Sequence, residues 1–365
     1  MSSVAIGIIG CGVISDAYLK AASQFPIIRI IACADINPNA ASQKASEYGI
    51  KALTVDAILA DPDIDIILNL TTPQFHVEVG VKCLNAGKHV YSEKPLAVTV
   101  EEASQLVKLA KEKNLRVGCA PDTFLGGAHQ TARKILDGGQ IGEVVAGTAF
   151  LMLPGHEAWH PNPDFYYQPG GGPLFDMGPY YLTSLINMIG PISSVTAMSK
   201  RSYDKRKIHS GARKGNEFPV DVDTHISAIL RFKNNAIVTL TTSFDVQKHA
   251  HSPIELYGET GSMLVSDPNK FDGVIQISDH NGDWQDVEQS HIYGDGDYRI
   301  LGLADMAQGI LSDRAHRASL ELSLHVLETM EAIMTSAAQE QEITTKYQCD
   351  KPLALPDNLS FGQLD

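Results

Sequence analysis

The sequence lacks the features that mark secreted, membrane-spanning and disulfide-stabilised proteins. Its five cysteines among 365 residues are an odd number and include no CxxC pair. We therefore expect buried thiols in a reducing compartment rather than a disulfide framework. The start of the chain carries no basic segment, and its first apolar stretch, 4–9, is too short for a signal peptide or a membrane span. These absences predict a cytoplasmic protein with no membrane partner.

An excess of positive charge is also missing. The chain has 29 Lys and Arg against 43 Asp and Glu, a formal net charge of -14, which repels phosphate backbones and anionic lipids. One basic run lies at 200–214, but it lacks regularly interleaved aromatic residues, so we interpret it as a solvated loop. The charge pattern therefore predicts no nucleic-acid partner.

The first third of the chain alternates short apolar runs with helical patterns. The runs are rich in Ile and Val and too short for helices, as expected of strands buried on both faces. Segments 75–86 and 99–113 have helical patterns, and Thr99 with Glu102 forms a capping box. This alternation is typical of βαβ units in a parallel sheet. The predicted strands span 4–9, 27–34, 64–70, 89–91 and 115–120.

The pattern changes near residue 122, where a Pro- and Gly-rich loop (154–173) and alternating β-branched strands begin to appear. Hairpin signals at 233–236 and 258–261 favour antiparallel pairing. The chain is also longer than one hydrophobic core usually supports. We predict an α/β protein with a doubly wound, parallel Rossmann sheet over 1–121 and an α+β domain over 122–365. Its predicted helices span 128–136, 178–188, 297–311 and 318–338, and its strands 144–153, 225–232, 237–244, 254–257, 263–265 and 274–277.

A dinucleotide-binding signature, Gly10-Cys11-Gly12-Val13-Ile14-Ser15, follows the first predicted strand. The first glycine permits the tight turn, the second lets the backbone approach a pyrophosphate, and the helix N-terminus supplies free N–H groups. Asp35 ends the second predicted strand, where a carboxylate accepts both ribose hydroxyls and repels a 2′-phosphate. The pattern predicts NAD rather than NADP, although Asp35 could instead cap the following helix.

A second cluster, Glu93-Lys94-Pro95, follows the strand at 89–91. Open α/β sheets bind ligands at the carboxyl ends of their strands. A charged side chain at this position is therefore placed for chemistry more readily than for packing.

Together with Ala34-Asp35, Thr72-Pro73-Gln74-Phe75-His76 and the segment 170–180, these motifs make the chain resemble the Gfo/Idh/MocA oxidoreductases over nearly its full length. The resemblance implies a second domain with a large, mainly antiparallel open sheet that often forms the interface of homodimers or homotetramers. It also implies hydride transfer between a sugar or polyol carbinol and a nicotinamide. By this resemblance the cofactor-binding residues are Gly10, Gly12, Val13, Ile14, Asp35, Thr71, Thr72, Pro73, His76, Glu93 and Lys94.

The same resemblance implies that Lys94, Asp176 and Tyr180 are catalytic, with Tyr180 standing where inositol dehydrogenases carry histidine. Oxidising a carbinol requires a base for the hydroxyl proton, and a tyrosine is a poor base until a nearby cation favours its phenolate. We hypothesise that Tyr180 is the general acid–base, Lys94 the cation that lowers its pKa, and Asp176 the acceptor that orients the substrate. Two alternatives stay open: a neutral Lys94 acting as the base, or Tyr180 as a core aromatic.

Aromatic, imidazole and carboxylate side chains near these residues suit a sugar, which offers apolar C–H faces together with hydroxyls. The alternative is a loop held by its own aromatics. The match to the zinc signature HExxH at 156–160 is interpreted as chance, because prolines and a glycine leave no room for a helix, and no metal is expected. The predicted substrate-binding residues are Lys94, Asp122, Phe124, Trp159, His160, Tyr166, Asp176 and Tyr180.

The leading prediction is thus an NAD-dependent dehydrogenase acting on a small carbohydrate or polyol. One alternative is an NAD-dependent glycosidase, in which transient oxidation of a sugar activates elimination of its glycosidic substituent. Another is a non-catalytic, NAD-binding regulator, which the presence of Lys94, Asp176 and Tyr180 disfavours.

Overall fold

The computed structural model describes residues 3–365, and in this part of the chain the amino-terminal segment forms a six-stranded parallel sheet. The strand order is β3-β2-β1-β4-β5-β6, and every adjacent pair is parallel. The strands are β1 (Val4–Ile9), β2 (Ile28–Ala34), β3 (Lys51–Ala52), β4 (Ile66–Asn69), β5 (His89–Ser92) and β6 (Val117–Cys119). The helices are α1 (Ser15–Ala22), α2 (Pro38–Tyr48), α3 (Val55–Ala60), α4 (His76–Asn85) and α5 (Val100–Lys113).

The predicted Rossmann sheet is therefore confirmed, with the strand ends slightly shifted. All six residues of β1 are buried, as expected where helices cover both faces of a parallel sheet. The Thr99 side chain accepts a hydrogen bond from the Glu102 N–H and so begins α5 where the capping box predicts. The short edge strand β3 was not predicted, because two exposed residues carry no periodic signal.

The second domain contains a nine-stranded sheet in the order β16-β15-β14-β13-β7-β12-β11-β8-β17. Only the β7–β12 pair of this sheet is parallel in the described residues, so the predicted mainly antiparallel sheet is confirmed. Its strands are β7 (Val144–Met152), β8 (Ile192–Lys200), β11 (His225–Phe232), β12 (Ile237–Ser243), β13 (Ile254–Gly258), β14 (Gly261–Val265), β15 (Ile275–Asp279), β16 (Gln285–Val287) and β17 (Ile343–Thr344). A separate hairpin pairs β9 (Lys205–Lys207) with β10 (Glu217–Pro219).

Four helices accompany this sheet in the described residues: α6 (Gly127–Asp137), α7 (Gly172–Ile189), α8 (Leu301–Leu311) and α9 (Leu320–Gln339). Helix α9 contacts β8 of the large sheet as well as α5 and β6 of the first domain, so the carboxyl-terminal helices join the two sheets. The predicted domain boundary at 121/122 falls between β6 and α6. In residues 3–365, no helix combines the length and apolarity needed to cross a bilayer.

Several predicted element boundaries were wrong. Helix α7 begins at Gly172 rather than at 178, because Pro173 in the first turn is compatible with a helix and Pro179 is accommodated inside it. Strand β8, next to the edge strand β17, was not predicted, since its serines and threonines weaken the apolar alternation. The basic run is not simply a solvated loop: it contributes β9, and Arg206 within it is buried and pairs with Glu157 and Asp245.

Candidate active site

The dinucleotide loop lies between β1 and α1, and its two glycines have different surroundings. Gly10 has a φ of 106°, and a Cβ there would lie 2.6 Å from the Leu70 carbonyl carbon, so only glycine fits. At Gly12, a Cβ would meet no heavy atom within 4 Å among the described residues. Ser15, at the third glycine position, is buried and donates its hydroxyl to the Gly12 carbonyl at 2.6 Å. The turn is thus fixed at Gly10 and open at Gly12, as backbone contact with a pyrophosphate requires.

Asp35 follows β2, and its carboxylate is held beside this loop. Oδ2 accepts a hydrogen bond from the Cys11 N–H and Oδ1 accepts one from the Asn37 N–H, both at 2.7 Å. The residue that caps α2 is Asn37, whose side chain accepts from the Asn39 N–H. The alternative that Asp35 caps this helix is therefore wrong.

Two apolar side chains beside the loop are almost fully exposed, Val13 at 95% and Ile36 at 99%, while Ile14 is half-buried. Exposed apolar surface next to a carboxylate and an open backbone turn suits a nucleotide base and its ribose. The residues present therefore fit a dinucleotide.

The predicted cofactor-binding residues between 71 and 76 lie in two different environments, the cleft and the protein interior. Thr72 and Pro73 line the cleft between the domains, and the Thr71 hydroxyl donates to Asn69. His76 is fully buried, and its ring nitrogens lie 2.6 Å from the Pro95 carbonyl oxygen and 2.9 Å from that of Thr71. The predicted contact between His76 and a cofactor needs correction, because its ring instead holds two backbone segments together.

Lys94 projects from the turn after β5 towards the second domain. Its Nζ donates to the Asp176 carbonyl oxygen at 2.6 Å and lies 3.0 Å from Asp176 Oδ1. Glu93 faces the first domain, where it accepts hydrogen bonds from the Tyr18 hydroxyl and the Lys94 N–H, both at 2.8 Å. The Lys94–Pro95 bond is cis. A single ammonium group therefore connects the dinucleotide-binding sheet to α7.

Helix α7 places Asp176 and Tyr180 one turn apart on the same face. Lys94 Nζ lies 5.2 Å from the centre of the Tyr180 ring, and the ring itself is buried. The structure thus brings together the three residues that the sequence predicts as catalytic.

His156 also belongs to this cluster, although it was not predicted as a site residue. Its Nε2 lies 2.8 Å from Asp176 Oδ2, so the carboxylate is held between Lys94 and an imidazole. Nδ1 of this buried ring has no hydrogen-bond partner within the described residues. The sequence contained a signal in the HExxH match, but that motif points to a different chemistry.

Burial and charge set the protonation states in this cluster. Burial would raise the pKa of Asp176, but the Lys94 ammonium and the His156 hydrogen bond outweigh it and hold the pKa at about 2. Burial also disfavours the charged form of Lys94, yet Asp176, Tyr180 and Glu93 raise its pKa above the ordinary value. Burial raises the pKa of Tyr180, and the nearby cations oppose this without reversing it. The geometry therefore favours a charged Lys94–Asp176 pair beside a neutral phenol at neutral pH.

Arg299 is a further residue that sequence reasoning missed. Its Nη1 donates to the Tyr180 hydroxyl at 3.3 Å. Arg299 lies just before α8, more than a hundred positions along the chain from Tyr180, and no motif marks it.

Lys94 and Asp176 open into a cleft of about 450 Å³ between the domains. Tyr166 lines this cleft and its ring centre lies 4.1 Å from that of His156. Trp159 is 59% exposed and packs edge-on against His156, and His160 packs against Tyr166, but neither residue lines the cleft itself. The other lining residues are Thr72, Pro73, Gln74, Pro95, Val98, Phe165, Pro169, Gly170, Gly171 and Phe175.

A larger cavity of about 540 Å³ lies on the other side of the glycine segment 170–172. Arg201, Asp204, Asp221 and Asp223 contribute its charged lining, but none of the predicted catalytic side chains faces it. Size alone does not identify a functional cleft, and the predicted catalytic residues Lys94 and Asp176 line the smaller of the two.

Two predicted substrate-binding residues need correction. Phe124 is 1% exposed and belongs to the hydrophobic core. Asp122 is equally buried, and its Oδ2 accepts hydrogen bonds from the N–H groups of Ile300 and Gly302 at the start of α8. Both follow β6, but the chain turns them inward and away from the cleft.

The segment that matches HExxH forms a single 3₁₀ turn, His156–Ala158, rather than a sustained helix. Glu157 is buried, where it pairs with Arg206 and accepts a hydrogen bond from the Tyr167 hydroxyl. This geometry does not place the motif's side chains around a common metal position.

Two family profiles match the chain. One, described as an oxidoreductase family with an NAD-binding Rossmann fold, matches residues 4–120. The other, the GFO/IDH/MocA C-terminal domain, matches residues 129–264.

Individual proteins are similar over most of the chain. Levoglucosan dehydrogenase of Pseudarthrobacter phenanthrenivorans is 25% identical and the alignment covers 83% of this chain and 85% of that protein. A dTDP-3,4-didehydro-2,6-dideoxy-alpha-D-glucose 3-reductase of Saccharopolyspora spinosa is 30% identical, with 75% and 79% covered. A solved levoglucosan dehydrogenase in complex with NADH and L-sorbose has a TM-score of 0.81 at 23% identity, covering 94% of this chain and 99% of that one. This last likeness establishes the fold.

Proposed function

Because the chain belongs to the GFO/IDH/MocA oxidoreductase family, we propose that it is a dehydrogenase that transfers a hydride between a sugar or polyol carbinol and NAD. The observation that carries this proposal is the Lys94–Asp176 ion pair, which places an ammonium group between the dinucleotide loop's sheet and the substrate cleft. In this proposal Tyr180, one helical turn further and buried beside Lys94, is the proton-transfer group.

The proposed cofactor is NAD rather than NADP. In this proposal the Gly10–Gly12 backbone holds the pyrophosphate, and Asp35 accepts the ribose hydroxyls. Asp35 keeps its carboxylate beside the loop through hydrogen bonds to two backbone N–H groups, and a negative charge at this position disfavours a 2′-phosphate. When bound, the nicotinamide supplies the hydride acceptor or donor.

The raised pKa of Lys94 supports the hypothesis that Lys94 acts as a cation and not as the base. Its ammonium would donate a hydrogen bond to the reacting oxygen, and Asp176 would keep that ammonium charged and aimed at the cleft. Tyr180 would exchange the hydroxyl proton. A phenol with a raised pKa is a better donor than acceptor at neutral pH, so this arrangement favours carbonyl reduction there and carbinol oxidation under more alkaline conditions.

The proposed substrate class follows from the cleft and from the relatives. Tyr166 and Phe175 offer apolar faces, while Lys94, Asp176 and Thr72 offer polar groups, a combination that suits a sugar ring. The relatives are named for levoglucosan, a dTDP-linked keto sugar and inositol.

The test is a panel of sugars, anhydrosugars, polyols and glycosides, assayed for NAD reduction and, with the matching ketones, for NADH oxidation. We expect at least one carbinol to give NADH that accumulates in proportion to its product, and no turnover in Lys94→Ala protein. Release of an aglycone without net NADH would indicate the glycosidase instead. NAD binding without turnover of any compound would contradict the proposal and favour a regulator.

We also propose that a second copy of the chain covers the outer face of the nine-stranded sheet. Met198 on β8, Ile229 on β11 and Ile237 on β12 are apolar and exposed at 82%, 51% and 41%, which is unusual for a solvated sheet face. We expect a homodimer or homotetramer in analytical ultracentrifugation, and Met198→Glu with Ile229→Glu to shift it towards monomer. A wild-type monomer at all concentrations would contradict this.

A further inference from the structure

Arg299 makes a directed contact with Tyr180 from outside α7. Besides the hydrogen bond to the phenol oxygen at 3.3 Å, its guanidinium carbon lies 5.9 Å from the ring centre. Nη2 donates to Asn269 Oδ1 at 3.1 Å, which fixes the other side of the guanidinium. The Arg299 side chain is 19% exposed, so its charge is only partly screened by water.

The backbone next to Arg299 is held in an uncommon conformation. Ile300 has a φ of 143°, which β-branched residues rarely adopt. Asp122 Oδ2 accepts hydrogen bonds from the Ile300 N–H at 3.1 Å and the Gly302 N–H at 2.9 Å, and so imposes this conformation. Such strain persists only where the surroundings determine it. Here the two hydrogen bonds from Asp122 hold in place the backbone that directly follows Arg299.

The two cations that flank Tyr180 differ in how far their charges are already neutralised. Lys94 forms an ion pair with Asp176 Oδ1 at 3.0 Å. Among the described residues, the carboxylate that forms an ion pair with Arg299 is Asp297. Its side chain is 60% exposed, and its Oδ1 lies 3.7 Å from Arg299 Nε. Lys94 still acts more strongly on the pKa of Tyr180, and Arg299, whose charge Asp122 and Glu93 also offset, adds a second cation on the side of the phenol oxygen.

Other charged and titratable groups also face Tyr180. Glu93, from the turn after β5, disfavours a phenolate, and Lys94 favours one. Tyr166, from the loop before α7, also interacts electrostatically with Tyr180. Asp122 lies behind Arg299 and interacts with the guanidinium rather than with the phenol.

We propose that Arg299 is the positioning residue that orients the Tyr180 phenol and stabilises its phenolate. This inference rests on the proposed function, in which Tyr180 exchanges the proton. During oxidation the substrate O–H bond breaks and a phenol O–H bond forms, while the electron pair of the C–H bond leaves with the hydride to the nicotinamide. Arg299 stabilises the state before this transfer, when the phenol is ionised. In reduction, the same contact stabilises the phenolate that remains after the proton has been donated.

The decisive measurement titrates this one phenol among the chain's 12 tyrosines. A ring-fluorinated tyrosine placed only at position 180 has a more acidic phenol, and its fluorine NMR signal reports ionisation without any substrate. Arg299→Gln removes the charge but keeps a donor, and we expect it to raise the pKa of this phenol by about one to two pH units, the effect of losing a hydrogen bond to a charged group. Arg299→Lys should restore part of the difference, and the exposed Arg29→Gln should have no effect.

In turnover, the alkaline pH at which oxidation reaches half its maximal kcat should move upwards by the same amount in Arg299→Gln, with little change in KM. Asn269→Ala, which removes the other anchor of the guanidinium, should act in the same direction but more weakly, and it provides the test if Arg299→Gln does not fold. An unmoved fluorine titration in the folded Gln variant would overturn the proposal. A shifted titration in a protein that turns over no carbinol would leave the Arg299–Tyr180 coupling intact and overturn the proposed function instead.

Discussion

The two parts of the candidate site are built in different ways. The dinucleotide loop and Asp35 come from two neighbouring strand ends of one sheet, and backbone geometry places them, with the Asp35 carboxylate held by the Cys11 N–H. The side-chain cluster of Lys94, His156, Asp176, Tyr180 and Arg299 comes from four separate segments and depends on their mutual charges. A site made of backbone leaves a contiguous motif in the sequence, whereas a site made of converging side chains leaves isolated residues.

The largest expected effect on turnover comes from removing the Lys94 ammonium, the cation at the centre of the side-chain cluster. Lys94→Ala should lower kcat by about 10²- to 10⁴-fold, the usual contribution of a positioned acid–base group, because the reacting oxygen loses its donor. NADH binding, followed by its fluorescence, should change much less, since the loop and Asp35 remain. The matched control is Lys108→Ala, which alters a lysine side chain that is 76% exposed on α5. Normal turnover in Lys94→Ala protein would show that the cluster is not the reaction centre.

A smaller effect on activity is expected from a substitution beside the dinucleotide loop. Asp35→Ser should reduce the preference for NAD over NADP, measured as a ratio of kcat/KM values, by about 10- to 100-fold, the effect of losing hydrogen bonds to a charged group. Turnover at saturating cofactor should be affected far less. Asp56→Ser, at an exposed position of α3, is the control. If the ratio of kcat/KM values for NAD and NADP stays constant, Asp35 does not bind the ribose hydroxyls.

His156→Gln should have a more modest effect on turnover, a loss of about tenfold in kcat/KM at neutral pH from one hydrogen bond to a charged group. The pKa of Asp176 is held at about 2 by Lys94 and His156 against burial. Losing the imidazole lets this pKa rise, so the acid limb of the kcat/KM profile should move to higher pH. An acid limb at the wild-type position would contradict this role, and His280→Gln, in an exposed turn, serves as the control.

Asp122→Asn should have the smallest effect on turnover and act mainly on stability. Burial raises the pKa of Asp122 to about 6, with the Gly302 N–H and Arg299 opposing it. The native state therefore binds this proton more tightly than the unfolded chain, whose carboxyl has a pKa of about 3.9. The resulting stabilisation is fully present below about pH 4 and is lost as the pH rises through about 6.

The Asn variant cannot bind this proton, so its free energy of unfolding should lose a pH-dependent contribution on the order of 2 kcal/mol between pH 4 and pH 7. Urea unfolding at both pH values measures the difference, with Asp56→Asn as the control. If the wild type and Asp122→Asn showed the same pH dependence of stability, the pKa of Asp122 would not be raised in the folded protein.

Sequence reasoning succeeded where the physical requirement is local. Gly10 is demanded by its own backbone angle, and Asp35 lies where a parallel strand ends. Asp176 and Tyr180 share a helix face because they are four residues apart. These features needed only periodicity, turn chemistry and the family resemblance.

It failed where a side chain's direction depends on distant neighbours. Asp122 and His76 stand at strand or helix ends that face ligands, yet both turn inward to bind backbone groups. His156 drew notice for a zinc motif, but its partner is a carboxylate 20 positions along the chain. Arg299 carries no motif at all.

The sequence by itself determined the two-domain order, the parallel sheet, the dinucleotide loop and the spacing of the helical pair on α7, because each depends on neighbouring residues and on backbone geometry. Only the tertiary structure decided which charges meet. Lys94 and Asp176 are 82 positions apart, and Tyr180 and Arg299 are 119 apart. The Lys94–Asp176 contact joins the two domains, whereas Tyr180 and Arg299 meet inside the second, and the protonation states of the cluster depend on both contacts.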